Sequence, residues 1–340
     1  MQESIPSASI DKSIPFAWWK PVAIGAVYGL LMRLLFMIKL PFINASFDVM
    51  GPAFLFGVPL IVGALTVFWA KPDQQRSWLY CFLVPWASVS LFVCGTAVAL
   101  IEGSICIAMA LPLFVVLGSV GGLLMMAVLR FWQPGSGAIS CLGVLPILCA
   151  IGEQFVGPPD VVDTTSASVY IEAPAAVVWQ QLNNAEAIQP SEVESGLAFR
   201  IGVPLPVEGI TVTEADGLVR KSKWQKGVAF DEPILISDEH KTLKWAYRFA
   251  KDSFPSNALD EHVEIGGRYF DLRNTTFALY PESSGVRLVI LTEYRISTHF
   301  NWYSNFWAQL LLEDFSEVIL QYYKRRSERT SNDNPVVAGM

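Results

Sequence analysis

The sequence lacks charge in its first half and cysteine in its second half. Of its 340 residues, 16% are charged and 52% are hydrophobic, whereas about a quarter of the residues in an ordinary soluble domain are charged. The first 152 residues contain seven Lys/Arg and five Asp/Glu; the rest contains 17 and 26, a net charge of −9. An acidic C-terminal half argues against nucleic acid as a partner.

Motifs for metal, nucleotide or covalent chemistry are also missing from the sequence. All five cysteines lie in the apolar half without the spacing of metal ligands, and we interpret them as small buried residues. The chain has three histidines and shows no nucleophile motif, phosphate loop or dinucleotide fingerprint. The sequence therefore predicts neither a metal nor a cofactor, and it offers no catalytic motif.

The apolar half contains long stretches without charge. Four of them exceed the roughly 20 residues that cross a bilayer core, and an earlier apolar segment contains only Arg33. We expect Arg33 to extend its charge to the membrane interface, with a functional role as the alternative. The sequence predicts five transmembrane helices, at about 21–40, 50–70, 78–101, 105–130 and 136–153.

Basic residues in the connections predict how these helices are oriented. Lys20 precedes the first helix, Lys71 and Arg76 separate the second from the third, and Arg130 separates the fourth from the fifth. The positive-inside rule places these ends, with the N-terminal segment 1–20, in the cytoplasm. Five spans then put the C-terminal domain in the periplasm of a bacterial inner membrane. With only four spans it is cytoplasmic.

The C-terminal half reads as a short linker followed by a mixed domain. The predicted units are a linker at 154–165, a domain at 166–328 and a disordered tail at 329–340. Within the domain, a first strand and a short helix precede a run of strands and a closing helix at about 300–327. The predicted strands lie at about 168–172, 209–215, 217–225, 228–237, 242–250, 267–280 and 285–298. A long loop at 251–266 is a candidate lid.

Two segments of this domain resemble the START-like superfamily, also called SRPBCC or polyketide cyclase and lipid-transport domains. The first, "SVYIEAPAAVVWQQLNN", is similar to the opening strand, turn and helix of that superfamily. The second, "YRISTHFNWYSNFWAQLLLEDFSEVILQYYKRR", is similar to its closing strand and long helix. The resemblance implies an α+β helix-grip domain, in which an antiparallel sheet surrounds a long C-terminal helix and a cavity for an apolar molecule. The predicted fold of the whole chain is therefore an all-α bundle of membrane helices followed by a helix-grip domain.

Alternation along the last hairpin predicts which side chains face inward. If Tyr280 pairs with Val286, then Asp271 faces Arg295 and Arg273 faces Glu293 on a solvated face. The opposite face is mostly apolar and is either a ligand cavity or an ordinary core. That predicted inner face consists of Phe270, Leu272, Asn274, Thr276, Ala278, Leu288, Ile290, Thr292, Tyr294 and Ile296.

A second hairpin places an acid and a base on an apolar face. With a turn at 225–227, Trp224 pairs with Val228, and Arg220 then lies opposite Glu232. Because a lone buried charge is costly, we interpret this pair as either a structural bridge or the anchor for the polar group of a ligand.

These patterns lead to one principal hypothesis and two alternatives. The principal hypothesis is a membrane protein whose helix-grip domain binds a membrane lipid or another apolar small molecule. One alternative is an enzyme of the cyclase or dehydratase kind, with Glu232 or Tyr294 in acid–base work. The other is a sensor or assembly module with a filled core. The candidate ligand-binding residues are Arg220, Trp224, Glu232, Asn274, Thr276, Thr292, Tyr294, Tyr303 and Trp307.

The closing helix carries more aromatic residues in its first turns than one face can bury. Most of its apolar residues follow a helical stripe and are expected in the core. Phe300, Trp302 and Phe306 are expected either at the mouth of the cavity or at the membrane interface.

Overall fold

The computed structural model describes residues 19–38, 48–132, 135–193, 195–256, 258–259 and 262–333. The chain forms two compact units. Apart from the described residues before Met50, the first contains Ala53–Thr96 and Leu111–Gly152. The second contains Met50–Pro52, Ala97–Ala110 and the chain from Glu153 onward. Most of the predicted cytoplasmic segment 1–20 lies outside the described residues.

The described part of the apolar half consists of helices joined by short turns. A π-helical segment, Ala53–Gly57, leads directly into the second helix. The helices are α1 (Lys20–Phe36), α2 (Val58–Phe68), α3 (Pro72–Gln75), α4 (Trp78–Val98), α5 (Ser104–Phe131) and α6 (Ser136–Glu153).

Two of these helices are long and apolar enough to cross a membrane, namely α4 with 21 residues and α5 with 28. The other three apolar helices of the described chain are shorter or only marginally long enough, since α1 has 17 residues and α6 has 18. Length and composition therefore support two of the five predicted spans.

Glycine allows the helices of the first unit to approach closely. A Cβ atom added to Gly63 would lie 1.9 Å from the carbonyl oxygen of Gly118, and one on Gly121 would lie 1.9 Å from that of Leu60. Helix α2 therefore meets α5 backbone to backbone, as small residues permit between membrane helices. The side chain of Arg33 is buried.

The second unit is built on one antiparallel sheet of eight strands in the order β1-β8-β7-β6-β5-β4-β3-β2. The sheet curls around the last helix, which contacts β1, β8 and the first helix of the unit. The strands are β1 (Asp160–Ile171), β2 (Asn184–Ala185), β3 (Pro206–Glu214), β4 (Gly217–Trp224), β5 (Ala229–Asp238), β6 (Thr242–Ala246), β7 (Phe270–Glu282) and β8 (Gly285–Ser297). The helices are α7 (Ala175–Asn183), α8 (Pro190–Val193), α9 (Leu197–Arg200) and α10 (Asn301–Asp333).

Both ends of this domain extend beyond their predicted limits. Strand β1 begins at Asp160, so the second half of the predicted linker 154–165 is sheet rather than connection. It pairs along the whole of β8, and Asp160 faces Ser297. Its first residues are exposed, which removes the alternating pattern that marks a strand. Helix α10 continues to Asp333, so the part of the predicted tail before residue 334 is helical.

A β-bulge at Arg273 divides the last hairpin into two registers. Asp271 faces Arg295 as predicted, but Asn274 faces Glu293 and Tyr280 faces Arg287. The predicted pairs of Tyr280 with Val286 and of Arg273 with Glu293 are therefore wrong. One extra residue reverses the two faces of β7.

The consequence of the bulge is a different inner face on β7. Thr275, Phe277 and Leu279 are buried, whereas Asn274 and Thr276 are only partly buried on the other side. The inner face of β8 is as predicted, because Leu288, Ile290, Thr292, Tyr294 and Ile296 are all buried.

The core of the domain lies between the concave face of the sheet and α10. Helix α7 contributes Val178 and Leu182, and α10 contributes Leu320. A neighbouring aromatic group around Phe230 closes one side of this core. The observed architecture is an α+β helix-grip domain.

Candidate ligand cavity

A cavity of about 240 Å³ lies between the inner face of the sheet and α10. Its wall is mainly apolar, and all of its lining residues belong to the second unit. The apolar lining includes Phe230, Phe277, Ile290 and Ile296 from the sheet, Leu311, Phe315 and Ile319 from α10, and Leu259, Val263 and Ile265 from the loop after β6. Met50, Ile105 and Met109 also belong to it.

The structure brings four of the nine predicted ligand-binding residues into this lining. They are Arg220, Trp224, Glu232 and Thr292. Three come from the hairpin of β4 and β5, whose register is as predicted: Arg220 faces Glu232, and the Trp224 amide donates to the Val228 carbonyl at 2.8 Å.

The other five predicted residues do not line the cavity. The bulge turns Asn274 and Thr276 away from it. Tyr294 is buried, but its hydroxyl donates to Asn305 Oδ1 at 2.8 Å. Tyr303 donates to the Met109 carbonyl oxygen at 2.5 Å, and the Trp307 ring lies 6.4 Å from that of Tyr303.

The polar part of the cavity is centred on the Glu232 carboxylate. Glu232 Oε2 accepts hydrogen bonds from Arg220 Nη1 at 2.5 Å and from Ser222 Oγ at 2.8 Å. The guanidinium also lies 5.1 Å from the centroid of the Trp245 ring, and its Nη2 lies 3.4 Å from the Tyr323 hydroxyl. Both members of the charged pair are buried, so each depends on the other for compensation.

Burial and this pair set the protonation of the groups around them. Burial lowers the pKa of Arg220, but the Glu232 carboxylate and the neighbouring Tyr323 and Tyr247 together outweigh it, so the net shift is upward. Burial raises the pKa of Tyr323, against the opposing charge of Arg220. Burial also raises the pKa of Tyr247. Arg220 is therefore charged and both phenols remain neutral donors at physiological pH.

Four polar atoms of the lining residues have no hydrogen-bond partner among the described residues, and two of them are Trp245 Nε1 and His262 Nδ1. Within the described part of the chain, neither Arg220 Nε nor the Tyr322 hydroxyl makes a hydrogen bond, although both atoms are buried. Buried polar atoms are nearly always satisfied, so unsatisfied ones need an explanation. Both residues line the cavity, where a ligand oxygen is a possible acceptor.

A second polar zone consists of hydroxyl groups. The Tyr247 hydroxyl lies 2.6 Å from Thr275 Oγ1, which lies 3.3 Å from Thr292 Oγ1. All three residues line the cavity. Sequence reasoning missed Thr275 because the bulge exchanges it for Thr276.

The structure adds other residues that the sequence analysis did not select. Ser222 has the same strand parity as Arg220, and this signal was available in the sequence. Tyr322 and Tyr323 are in the core stripe of α10, where nothing in the pattern separates a cavity wall from ordinary packing. No group of three or more His, Cys, Asp or Glu that could hold a metal is found among the described residues.

Comparison with known proteins gives structural likenesses only. No family model matches the chain, and no curated protein does. Among solved structures, an uncharacterised protein from Rhizobium leguminosarum is 14% identical; the match covers 50% of this chain and 97% of that one, with a TM-score of 0.29. A truncated norcoclaurine synthase from Thalictrum flavum is 12% identical over 48% and 93%, with a TM-score of 0.28.

A third likeness is to the di-domain aromatase/cyclase StfQ of the steffimycin biosynthetic pathway. It is 9% identical, and the match covers 58% of this chain and 62% of StfQ, with a TM-score of 0.33. The class of the present domain is defined by its own architecture, a curled antiparallel sheet around a long C-terminal helix.

Proposed function

We propose that the protein is a membrane-attached binding protein whose helix-grip domain takes up a compact, mainly apolar molecule bearing a neutral oxygen. The observation that carries this proposal is the cavity itself, with its apolar wall and its buried polar cluster. A mainly apolar pocket with a few placed polar groups is the usual form of a small-molecule site.

The size of the cavity limits the ligand. Its volume of about 240 Å³ is below the roughly 300–1,000 Å³ of pockets for drug-sized molecules. It is above the roughly 150 Å³ of an engineered cavity that binds benzene. A compact ring compound or a short chain fits these bounds, and a two-chain membrane lipid does not. The proposal therefore favours the small molecule over the lipid.

The charge state of the cluster argues for a neutral ligand. Glu232 already balances the charge of Arg220 at 2.5 Å. A ligand carboxylate would bring a second negative charge close to Glu232 in a buried site, which is costly without another cation. A carbonyl or hydroxyl oxygen accepts from Arg220 Nε or Tyr322 without that cost.

The proposed membrane topology has five spans and a periplasmic domain. The turn between α4 and α5 belongs to the same unit as the domain. Ser104 Oγ donates to the Ile201 carbonyl oxygen at 2.5 Å, and Tyr303 donates to that of Met109. These bonds support a domain on the same side of the membrane as that turn, and the positive-inside rule places the basic connections at Arg76 and Arg130 on the other side.

The alternative functions have less support from the cavity. An enzyme would rely on Glu232, whose Oε2 is occupied by Arg220 and Ser222. Tyr294, the other candidate acid–base residue, does not line the cavity and donates to Asn305. An assembly module with a filled core needs no cavity of this size.

Mass spectrometry of small molecules carried by the purified full-length protein tests the proposal. Thr292→Trp fills the cavity, and Thr276→Trp places the same side chain on the other face of the neighbouring strand. We expect a compact neutral molecule in the wild type and in Thr276→Trp, and its loss from Thr292→Trp. Equal content in both variants, or a two-chain lipid displaced by Thr292→Trp, contradicts the proposal.

A further inference from the structure

We propose that the first turns of α10 insert an apolar stripe into the membrane interface. The stripe consists of Trp302, Phe306 and Leu310 and is called the α10 stripe below. Its proposed occupant is the headgroup and upper acyl region of the bilayer. The inference rests on the membrane attachment proposed above and adds a contact surface that ligand binding does not require.

The three residues form one exposed face. They are spaced by four, which places them above one another on a helix. Trp302 is 67% exposed, Phe306 56% and Leu310 37%. None of them lines the cavity, so the expectation that Trp302 and Phe306 form its mouth is not met. Exposed apolar surface of this kind marks an interaction site.

The other faces of this part of α10 are already engaged. Asn305 Nδ2 and Gln309 Nε2 both donate to Asp163 Oδ2, at 2.9 and 3.0 Å. Tyr303 packs its ring 5.4 Å from that of Trp302 and donates its hydroxyl to Met109. These hydrogen bonds fix the orientation of the helix, so the α10 stripe points away from the rest of the domain.

The position of the stripe follows from chain connectivity. Helices α4 and α5 are the two candidate spans, so the turn that joins them lies at a membrane end. Met109 and Ser104 lie in the first turns of α5, and each is bonded to the domain, through Tyr303 and Ile201 respectively. The α10 stripe therefore begins beside a membrane end of the chain.

The composition of this surface favours lipid over a soluble protein. Residues 301–312 contain no charged side chain, and Trp and Phe are favoured in the boundary between headgroups and acyl chains. The α4–α5 turn adds Val98 and Leu100, which are 85% and 91% exposed. Both apolar surfaces belong to the same unit, and the headgroup and upper acyl region of a bilayer would shield both from water.

Photo-cross-linking of the full chain in phosphatidylethanolamine–phosphatidylglycerol nanodiscs tests this contact. A benzophenone amino acid replaces Trp302 or Phe306, and lipid adducts are counted by mass spectrometry. Val116, 60% exposed on α5, is the control for a span, and Tyr280, 57% exposed on β7, is the matched control on the domain. We expect adducts at 302 and 306 at a level near that of 116 and several-fold above that of 280.

The outcomes separate this inference from the proposal on which it rests. Adducts at 116 with only background at 302 and 306 overturn the interfacial contact and leave membrane attachment standing. Background at all four positions overturns both. Chain-to-chain products at 302 or 306 in place of lipid assign the α10 stripe to a second copy and also overturn the inference.

Discussion

At the scale of single residues, Arg220 and Glu232 form a buried charged pair in the wall of the cavity. The pair fixes the position of the Arg220 guanidinium. Its Nη1 donates a hydrogen bond to Glu232, and its Nε has no partner among the described residues. The net contribution of the pair to stability is expected to be small, because the desolvation of two charges offsets their attraction. In the proposed function, the pair acts as a polar anchor without net charge.

Removing one partner of this pair is expected to be far more harmful than removing both. Glu232→Gln leaves Arg220 buried without a counter-charge and should destabilise the domain by about 3–5 kcal/mol. Glu232→Leu combined with Arg220→Leu should be much less destabilising, yet it should lose the ligand. Thermal unfolding and ligand content of the purified proteins check this. If Glu232→Gln is as stable as the wild type and only turnover of a substrate is lost, the enzyme alternative gains.

Gly209 is expected to be required by the same cluster. A Cβ atom at this position would lie 2.0 Å from Arg220 Nη2 and 2.2 Å from Cζ. Gly209→Ala must therefore displace the guanidinium, at a cost of about 1–3 kcal/mol, and reduce ligand content. Gly157→Ala, with nothing within 4 Å, is the matched control. Equal melting temperatures for the two variants would show that Arg220 is free to move.

At the scale of elements, the β4–β5 and β7–β8 hairpins differ in whether their strand register can be predicted from sequence. The β4–β5 hairpin was predictable because its turn is tight, with Lys226 and Gly227 both at positive φ, and the turn fixes the register. The β7–β8 hairpin was not. Its opposite-charge pairs suggested an uninterrupted ladder, whereas Arg273 lies in the bulge, 3.8 Å from Asp271.

Long-range pairing accounts for what else the sequence could not reveal. The first residues of β1 are exposed along an edge of the sheet and carry no alternating pattern. The cavity depends on how far α10 stands from the sheet, and its tyrosines have the same spacing whether they fill a core or line a space. Seven of the eight strands, the last helix and the Arg220–Glu232 pair follow from local patterns; the two-residue strand β2 and the cavity volume do not.

The C-terminal part of α10 is fastened by a pair that makes stability depend on pH. Arg326 Nε and Nη2 donate to Glu192 Oε1 and Oε2 at 2.9 and 2.8 Å. These hydrogen bonds outweigh desolvation and lower the pKa of Glu192 in the folded protein. The stabilisation is therefore fully present above the unfolded pKa of about 4.3 and is lost as the pH falls through the folded pKa.

Glu192→Gln should reduce the loss of stability on acidification. We expect the variant to be less stable than the wild type at pH 6 by about 1 kcal/mol, since the pair is only partly buried. The difference should shrink as the pH falls below 4. Melting temperatures of the full chain across this range measure it, with the exposed Glu186→Gln as control. Parallel pH profiles for the wild type and Glu192→Gln would show that the Arg326–Glu192 pair does not make stability depend on pH.

At the scale of the whole molecule, the two halves of the chain solve different packing problems. The first unit brings helix backbones together through glycines such as Gly63 and Gly121, which suits an environment where apolar side chains gain little by burial. The second unit buries a hydrophobic core between its sheet and helices, and its sequence carries a net negative charge. The membrane attachment and the interfacial contact proposed above would together account for the apolar helices and the exposed α10 stripe.

In the proposed topology, the side of the membrane on which the domain lies depends on whether α6 crosses it. If all five helices cross, a phosphatase fused after residue 340 should be active in a bacterial host and a fluorescent protein there should be dark, while fusions after Arg76 give the reverse. Deleting Ser136–Glu153 should exchange the two signals at residue 340, because one fewer crossing puts the domain on the basic side. A fluorescent fusion at residue 340 in the intact chain would instead mean four spans. It would also contradict the bonds of Ser104 and Tyr303, which join the domain to the α4–α5 turn.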